Sequence, residues 1–268
     1  MTSVSEAFRA KYGPWAVVAG ASDGTGAAFA EELARRGVNV VLIARRGALL
    51  DEVAARLDVE TRVVVLDLST DSAGADLAAA TADLEVGLFI YNAGSDPRSR
   101  LLLDQSIDDL QALVRRNCVT ALHGAYHFGQ QMVARGRGGL LFVSSFAGWA
   151  GSAHIAVYGA TKAFDTVLAE ALWAEWRDRG VDVLALVLGA TDTPTLRRLM
   201  DEHGGDFGEL ADPVDVALVG LDHLDHGPTW SFGMPDPTGP SPLGGLSRRQ
   251  AVEALSAGAS AMYGPTGD

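Results

Sequence analysis

The stretch Trp15-Ala-Val-Val-Ala-Gly20-Ala-Ser-Asp23-Gly24-Thr25-Gly26-Ala-Ala-Phe-Ala-Glu-Glu-Leu-Ala-Arg-Arg36 decides the reading of this chain. Five apolar residues without polar interruption read as a strand covered on both faces. Three glycines follow, and a helical pattern over 26–36 begins at once. Glycines at such a junction permit a tight turn, a close backbone approach to a pyrophosphate and close helix–strand packing, with the first amides of the helix facing the phosphates. The spacing is G-x-x-x-G-x-G, so the loop is a weak signal until its context is read.

Working outward, further apolar runs at 38–44, 62–66, 86–91, 140–144 and 181–187 alternate with amphipathic stretches at 48–57, 72–82, 107–135 and 156–179. Strand–helix–strand repetition at this spacing predicts right-handed βαβ units and an α/β fold with a doubly wound parallel sheet. After Gly189 the pattern weakens. The segment 191–210 reads as a polar, mobile loop with a short helix, 213–224 as a helix and 229–232 as a last edge strand. Four prolines and three glycines make 234–245 an irregular loop. A final helix is expected over 248–257, and 264–268 is expected to fray. No internal repeat is visible.

The 268 residues suit one domain with a single large core. A net charge of −13, with the arginine pairs at 35–36, 45–46, 115–116 and 197–198 scattered, argues against nucleic acid as a partner. Cys118 is the single cysteine, so no disulfide framework exists and a reducing compartment fits. Residues 1–11 are polar with no signal-peptide core, and no apolar run reaches 18 residues. Cytoplasmic localisation is the expectation, with no membrane contact.

Three residues carry the chemistry. Tyr158 and Lys162 stand in Tyr-x-x-x-Lys spacing, which puts both on one helix face a turn apart. A free phenol titrates near 10 and is a poor base at neutral pH; a neighbouring ammonium favours its anion. Only two lysines occur, Lys11 and Lys162, so finding one at this position is informative. Ser145 lies 13 residues before Tyr158 in Ser144-Ser145-Phe-Ala-Gly148, where a hydroxyl can orient a substrate oxygen and stabilise its developing charge.

Together these stretches resemble the short-chain dehydrogenase/reductase family in its form of about 250 residues, closest to NADPH-using ketoacyl and steroid reductases. The resemblance runs from Pro14 to about Pro194. It implies a Rossmann-type single domain with a seven-stranded, mostly parallel sheet and helices on both faces: a cofactor and catalytic core over 14–194, a substrate loop over 190–212 and a variable C-terminal extension over 234–268. It selects Ser145 over Ser144 and adds Asn117 as a fourth catalytic residue that holds a water for proton relay to Lys162. It implies cofactor contacts from Gly20, Ser22, Asp23, Gly24, Thr25 and Gly26. Asp67 and Leu68 would meet the adenine, and Asn92-Ala93-Gly94 would border its ribose, with Tyr91 standing where the family has a first asparagine. Tyr158 and Lys162 would also touch the cofactor. Gly189, Thr191 and Thr193 would meet the nicotinamide amide in a segment where Leu188 replaces the family's proline.

At the end of the second strand, an acidic residue would hold a ribose 2′-hydroxyl and repel a 2′-phosphate. Here Ala44 is followed by Arg45, whose guanidinium can grip the phosphate with paired charge-assisted bonds. NADP(H) is therefore expected and NAD(H) is less favoured, although Asp23 in the loop pulls the other way. His123 and His127, four apart, lack the glutamate and third ligand that a zinc site needs, so no metal is expected. His154 is expected at the substrate entrance and Trp149 in an apolar pocket; Trp173 and Trp176 suit core or subunit contacts. The expected activity is hydride transfer between nicotinamide and a carbonyl or alcohol carbon of a hydrophobic substrate. The expected assembly is a homodimer or homotetramer through the stretches 107–135 and 156–179. A catalytically idle NADP(H) sensor on the same scaffold is the binding-class alternative, and an epimerase or dehydratase using the same pair is a third.

Overall fold

In a computed structural model of the chain, residues 4–96, 98–205, 207–239, 243–246 and 248–263 are described. Strand runs that are apolar throughout need cover on both sides, and the sheet provides for it. It consists of β1 (Trp15–Ala19), β2 (Asn39–Ala44), β3 (Thr61–Val65), β4 (Val86–Tyr91), β5 (Gly138–Ser145), β6 (Val181–Leu188) and β7 (Thr229–Ser231). The order is β3-β2-β1-β4-β5-β6-β7. Every pairing between these strands is parallel, including that of the edge strand β7. Ala19 at the end of β1 lies between Ile43 and Tyr91. The strand order reverses there, which opens a crevice beyond the carboxyl ends of β1 and β4.

Successive strand side chains point to opposite faces, so neighbours such as Val17 and Val18 enter different cores. On one face Val18, Leu42, Ile90 and Leu186 pack against α1 (Val4–Tyr12), α2 (Gly24–Arg35), α3 (Gly47–Ala54) and α9 (Pro213–Asp222), through Phe8, Tyr12, Phe29, Leu33, Leu50 and Leu221. On the other face Val17, Ile43, Phe89 and Phe142 meet Leu77 of α4 (Ala73–Ala80), Phe128 and Met132 of α6 (Thr120–Arg135) and Ala169 of α7 (Ala156–Trp176).

Several sequence boundaries change. The single helix expected over 107–135 is two, α5 (Ile107–Val114) and α6, joined by a π-helical turn at Arg115–Val119. Helix α1 was not anticipated, because its segment is polar and only Phe8 and Tyr12, one turn apart, anchor it. The short helix expected within the loop segment 191–210 is α8 (Pro194–His203), ten residues with Thr193 as N-cap and Pro194 in the first turn. The last helix, α10 (Arg248–Tyr263), runs past 257. The described part of 234–245 is irregular as expected; residues 240–242 and 264–268 lie outside the described residues. Among the described residues no helix is long and apolar enough to cross a membrane.

Phe128 is fully buried, its ring 4.8 Å from that of Phe89. Phe128→Ala leaves a cavity between α6 and the sheet, and is expected to lower unfolding free energy by about 3–5 kcal/mol. Urea titration followed by circular dichroism checks this.

Candidate active site

The crevice is built first by the glycine loop between β1 and α2. Gly20 and Gly24 take positive φ values of 83° and 52°, a region that side chains disfavour. A β-carbon on Gly26 would run into the Gly20 carbonyl, so only glycine lets α2 start this close to the strand end. Asn92 holds the loop from β4: its amide nitrogen donates to the Gly20 carbonyl at 3.1 Å, and its backbone N–H donates to Ala19 O at 3.1 Å. Thr25 is buried in the first turn of α2. The loop thus leads a close-packed strand end into a helix N-terminus with glycines at its turns, which fits a dinucleotide pyrophosphate.

The partner of Asp23 is the residue that follows Arg45. Arg46 pairs with the Asp23 carboxylate and donates to Ser22 Oγ at 2.9 Å. Arg45 stays exposed at the end of β2. Burial alone would raise the Asp67 carboxyl. Hydrogen bonds from Ser69 Oγ and Ser69 N, at 2.6 and 2.9 Å, outweigh it and, with the nearby Arg45 and Arg116 guanidinium groups, hold it below the usual carboxylate range. Asp67 therefore closes its own turn and does not cap α4, whose N-cap is Ser72. Leu68 is buried, and its carbonyl accepts from Thr120 Oγ1 at 2.9 Å.

The second wall comes from α7, β5 and the π turn. Lys162 is buried on α7; its ammonium donates to Val143 O at 2.8 Å and to Asp165 Oδ2 at 3.1 Å, and lies 5.9 Å from the centroid of the Tyr158 ring. Burial would depress it, yet the Asp165 carboxylate and Tyr158 outweigh that, and its pKa is raised. Burial pushes Asp165 up as well. The ammonium and the carboxylate are in direct contact, and each offsets part of the cost of burying the other's charge. Gly94 makes room for the ammonium, since a β-carbon there would stand 2.8 Å from Nζ.

Asn117 has no exposed surface; its side-chain amide donates to Thr161 Oγ1 at 2.8 Å and to Gly94 O at 3.3 Å, while Arg116 Nε donates to its oxygen at 3.2 Å. The π turn presents it to α7. Tyr91, in place of an asparagine, is buried and donates its hydroxyl to the Arg116 carbonyl, tying β4 to the same turn; burial raises its pKa. Strand alternation separates the two serines. Ser144 turns inward to Lys162 O at 2.9 Å and Thr166 Oγ1 at 2.8 Å, whereas Ser145 is half-exposed and accepts from Ala147 N at 3.2 Å.

Beyond β6, Thr193 accepts from Leu196 N at 3.3 Å, and its side chain lies where a β-carbon on Gly24 would fall, 2.9 Å from Cγ2. This brings the segment after Gly189 against the glycine loop. Thr191 is buried and donates to Gly189 O at 3.4 Å. Phe146 and Trp149 stack at 4.1 Å in the turn after Ser145. His154 sits in the same loop at a positive φ of 63°. The histidine pair has other work: a β-carbon on Gly74 would collide with the His123 ring, and His127 meets Gln131 at 3.2 Å. Trp176 packs on Gly129, and Arg177 lies over Trp173.

Three features escaped the sequence reading. Arg46 was passed over because its neighbour had the better-known place. Asp165 carries no motif, although its i+3 spacing from Lys162 was available. The third is α10, which returns to the catalytic loop: Ser152 Oγ donates to Leu255 O at 3.1 Å, and Ala153 N to Ser256 Oγ at 3.1 Å. Its Tyr263 packs edgewise on His203 and Phe207, at 5.7 and 5.6 Å; burial lifts its phenol pKa, with a smaller contribution from Tyr158.

This site lies in a crevice at the switch point of a doubly wound parallel sheet, as nicotinamide-dependent oxidoreductases place theirs. The model of the family described as short chain dehydrogenase matches residues 14–204, and the chain belongs to that family. A 7beta-hydroxysteroid dehydrogenase of Collinsella aerofaciens is 37% identical over 222 residues, 81% of this chain and 82% of the relative. A solved structure bearing on 7beta-hydroxysteroid dehydrogenase stereoselectivity superposes with a TM-score of 0.83 at 28% identity, covering 92% of this chain and 98% of the other. A short-chain dehydrogenase from Sphingobium yanoikuyae in complex with NADPH gives a TM-score of 0.75 at 28% identity, covering 83% and 89%.

Gly26→Ala is expected to leave the far-ultraviolet circular dichroism spectrum unchanged while weakening nicotinamide dinucleotide binding by about tenfold or more, about 1.4 kcal/mol. Titration of the protein fluorescence with the dinucleotide measures it.

Proposed function

We propose that this protein is an NADP(H)-dependent oxidoreductase that moves a hydride between nicotinamide C4 and the ketone or secondary alcohol carbon of a hydrophobic substrate. The observation that carries this reading is the Lys162 ammonium, buried, held by two acceptors and 5.9 Å from the Tyr158 ring. A fixed cation beside a phenol favours the phenolate, so Tyr158 can pass a proton to a carbonyl oxygen or take one from an alcohol at neutral pH. Ser145, at the end of β5, donates a hydrogen bond to that same oxygen and stabilises its developing charge. Asn117 anchors the proton relay toward Lys162; its hold on Thr161 and Gly94 O sets it beside the lysine. When bound, the nicotinamide supplies or accepts the hydride, and its coenzyme is held by the loop Gly20–Gly26, by Asn92, Ala93 and Gly94, by Lys162, and by Gly189, Thr191 and Thr193. Thr193 caps α8 through an oxygen lone pair, and its hydroxyl proton serves the carboxamide.

The preference for NADP(H) over NAD(H) rests on charge. Ala44 offers no carboxylate against a 2′-phosphate, Arg45 is exposed for it, and Arg46 neutralises Asp23. Asp67 and Leu68 line the adenine. The NADPH complex of the structural relative supports the same choice.

The Phe146–Trp149 stack and exposed Leu101, Leu102 and Leu103 favour an apolar substrate. The relatives named for hydroxysteroid oxidation make a hydroxysteroid the first substrate to try. Exposed Val119, Leu122, Tyr126 and Val167, on and beside α6 and α7, suit burial in a homodimer or homotetramer. A single half-buried cysteine suits the reducing cytoplasm.

Tyr158→Phe is expected to cut steady-state turnover of a ketone or hydroxysteroid by about 10²–10⁴-fold, while NADPH still binds. Unchanged turnover overturns the mechanism. Arg45→Ala is expected to weaken NADPH about tenfold or more and to leave NADH affinity unaltered, as fluorescence titration with both coenzymes would reveal.

A further inference from the structure

Asp165 lies one turn after Lys162 on α7 and is 1% exposed. Its Oδ2 accepts from the Lys162 ammonium at 3.1 Å, and its Oδ1 is buried with no hydrogen-bond partner among the described residues. A carboxylate in such a place is costly, and an apolar side chain of the same size would pack there more easily. The proposed mechanism assigns it nothing.

The geometry of the ammonium says what the carboxylate does. Lys162 has three N–H donors. Val143 O and Asp165 Oδ2 take two, and both acceptors lie on the β5 and α7 side. Gly94, with no side chain, leaves the direction toward the β4 loop open. The third donor is thereby available to the site. We infer that Asp165 is a positioning residue: its carboxylate pins the Lys162 ammonium against the Val143 carbonyl and holds it charged beside Tyr158.

The other ionisable groups around the pair leave this role to Asp165. Tyr158 comes from the same helix, Arg116 and Cys118 from the π turn, and Tyr91 from β4. Arg116 is cationic and opposes the lysine's charge. Burial pushes the Cys118 thiol up to about 11 and Tyr91 well above the ordinary phenol value, so both are neutral at physiological pH. Asp165 is then the carboxyl group in direct contact with Lys162, at 3.1 Å, and the ammonium opposes the rise that burial imposes on it. Its loss removes what offsets the desolvation of the ammonium. The sign follows: a lysine whose folded pKa is raised by a partner falls when the partner goes, and its charge disappears at lower pH.

This inference rests on the oxidoreductase reading, and two measurements separate them. Because the chain has two lysines, labelling with [ε-13C]lysine gives two resonances, assigned with Lys11→Arg, and the cofactor-free protein can be titrated by NMR. In the wild type Lys162 is expected to titrate above the ordinary lysine value of about 10.4. In Asp165→Asn its midpoint is expected to fall by at least about one pH unit. In parallel, the alkaline limb of the kcat profile with NADPH and a turned-over ketone is expected to move to lower pH by a similar interval, leaving the acid limb in place. A wild-type lysine that titrates below the ordinary value overturns the inference even if the asparagine variant does not fold. So does an Asp165→Asn protein whose lysine midpoint and alkaline limb match the wild type. Absence of turnover in the wild type on a broad ketone panel counts against the oxidoreductase reading instead, and the lysine titration still decides the role of Asp165.

Discussion

A cation in the interior of a sheet-and-helix sandwich organises this site. The Lys162 ammonium is out of water, and elements from three parts of the chain are arranged around it: the carbonyl at the end of β5, a carboxylate one turn further along α7, and the side-chain-free backbone at Gly94 after β4. Taking an ammonium out of solvent is costly unless each donor is answered. The approach of α7 to β5 answers two of its donors, and the glycine after β4 leaves room for it. Tyr158, the residue proposed to meet substrate, is less confined than Lys162.

Most of this architecture was readable in the sequence, and the parts that were not have physical reasons. Strands β1 and β4 were placed to the residue, because an apolar run bounded by glycine or polar residues admits little else. The placement of Tyr158 and Lys162 on one helix and of Ser145 at a strand end was also legible, since these are spacings along one or two elements. What shifted depends on tertiary partners. Helix α1 has too few apolar residues to announce itself and exists because Phe8 and Tyr12 reach the core. The short helix expected within 191–210 is α8, started by Thr193 and Pro194. The final helix expected over 248–257 is α10, which extends to Tyr263 and meets the 152–153 loop.

The coenzyme end illustrates how a local contradiction dissolves in three dimensions. Read linearly, Asp23 is an acid in a phosphate-binding loop beside an arginine that welcomes phosphate. In space, the second arginine of the Arg45-Arg46 pair turns back to Asp23 and Ser22, while the first is left facing solvent. Two adjacent identical side chains thus do different jobs, one structural and one directed outward. The division falls where β2 ends at Ala44 and Arg46 becomes the N-cap of α3.

The π turn between α5 and α6 carries a consequence for the rods on either side of it. An α-helix advances about 100° per residue, so one surplus residue at 115–119 slips the phase of everything downstream by roughly that angle. Deleting a single position there would restore regular winding, and would swing either Asn117 away from Thr161 or the Phe128 and Met132 face of α6 off the sheet. The wide turn is how one continuous rod serves two masters, aiming a polar side chain at the lysine's neighbourhood and an oily stripe at the strands.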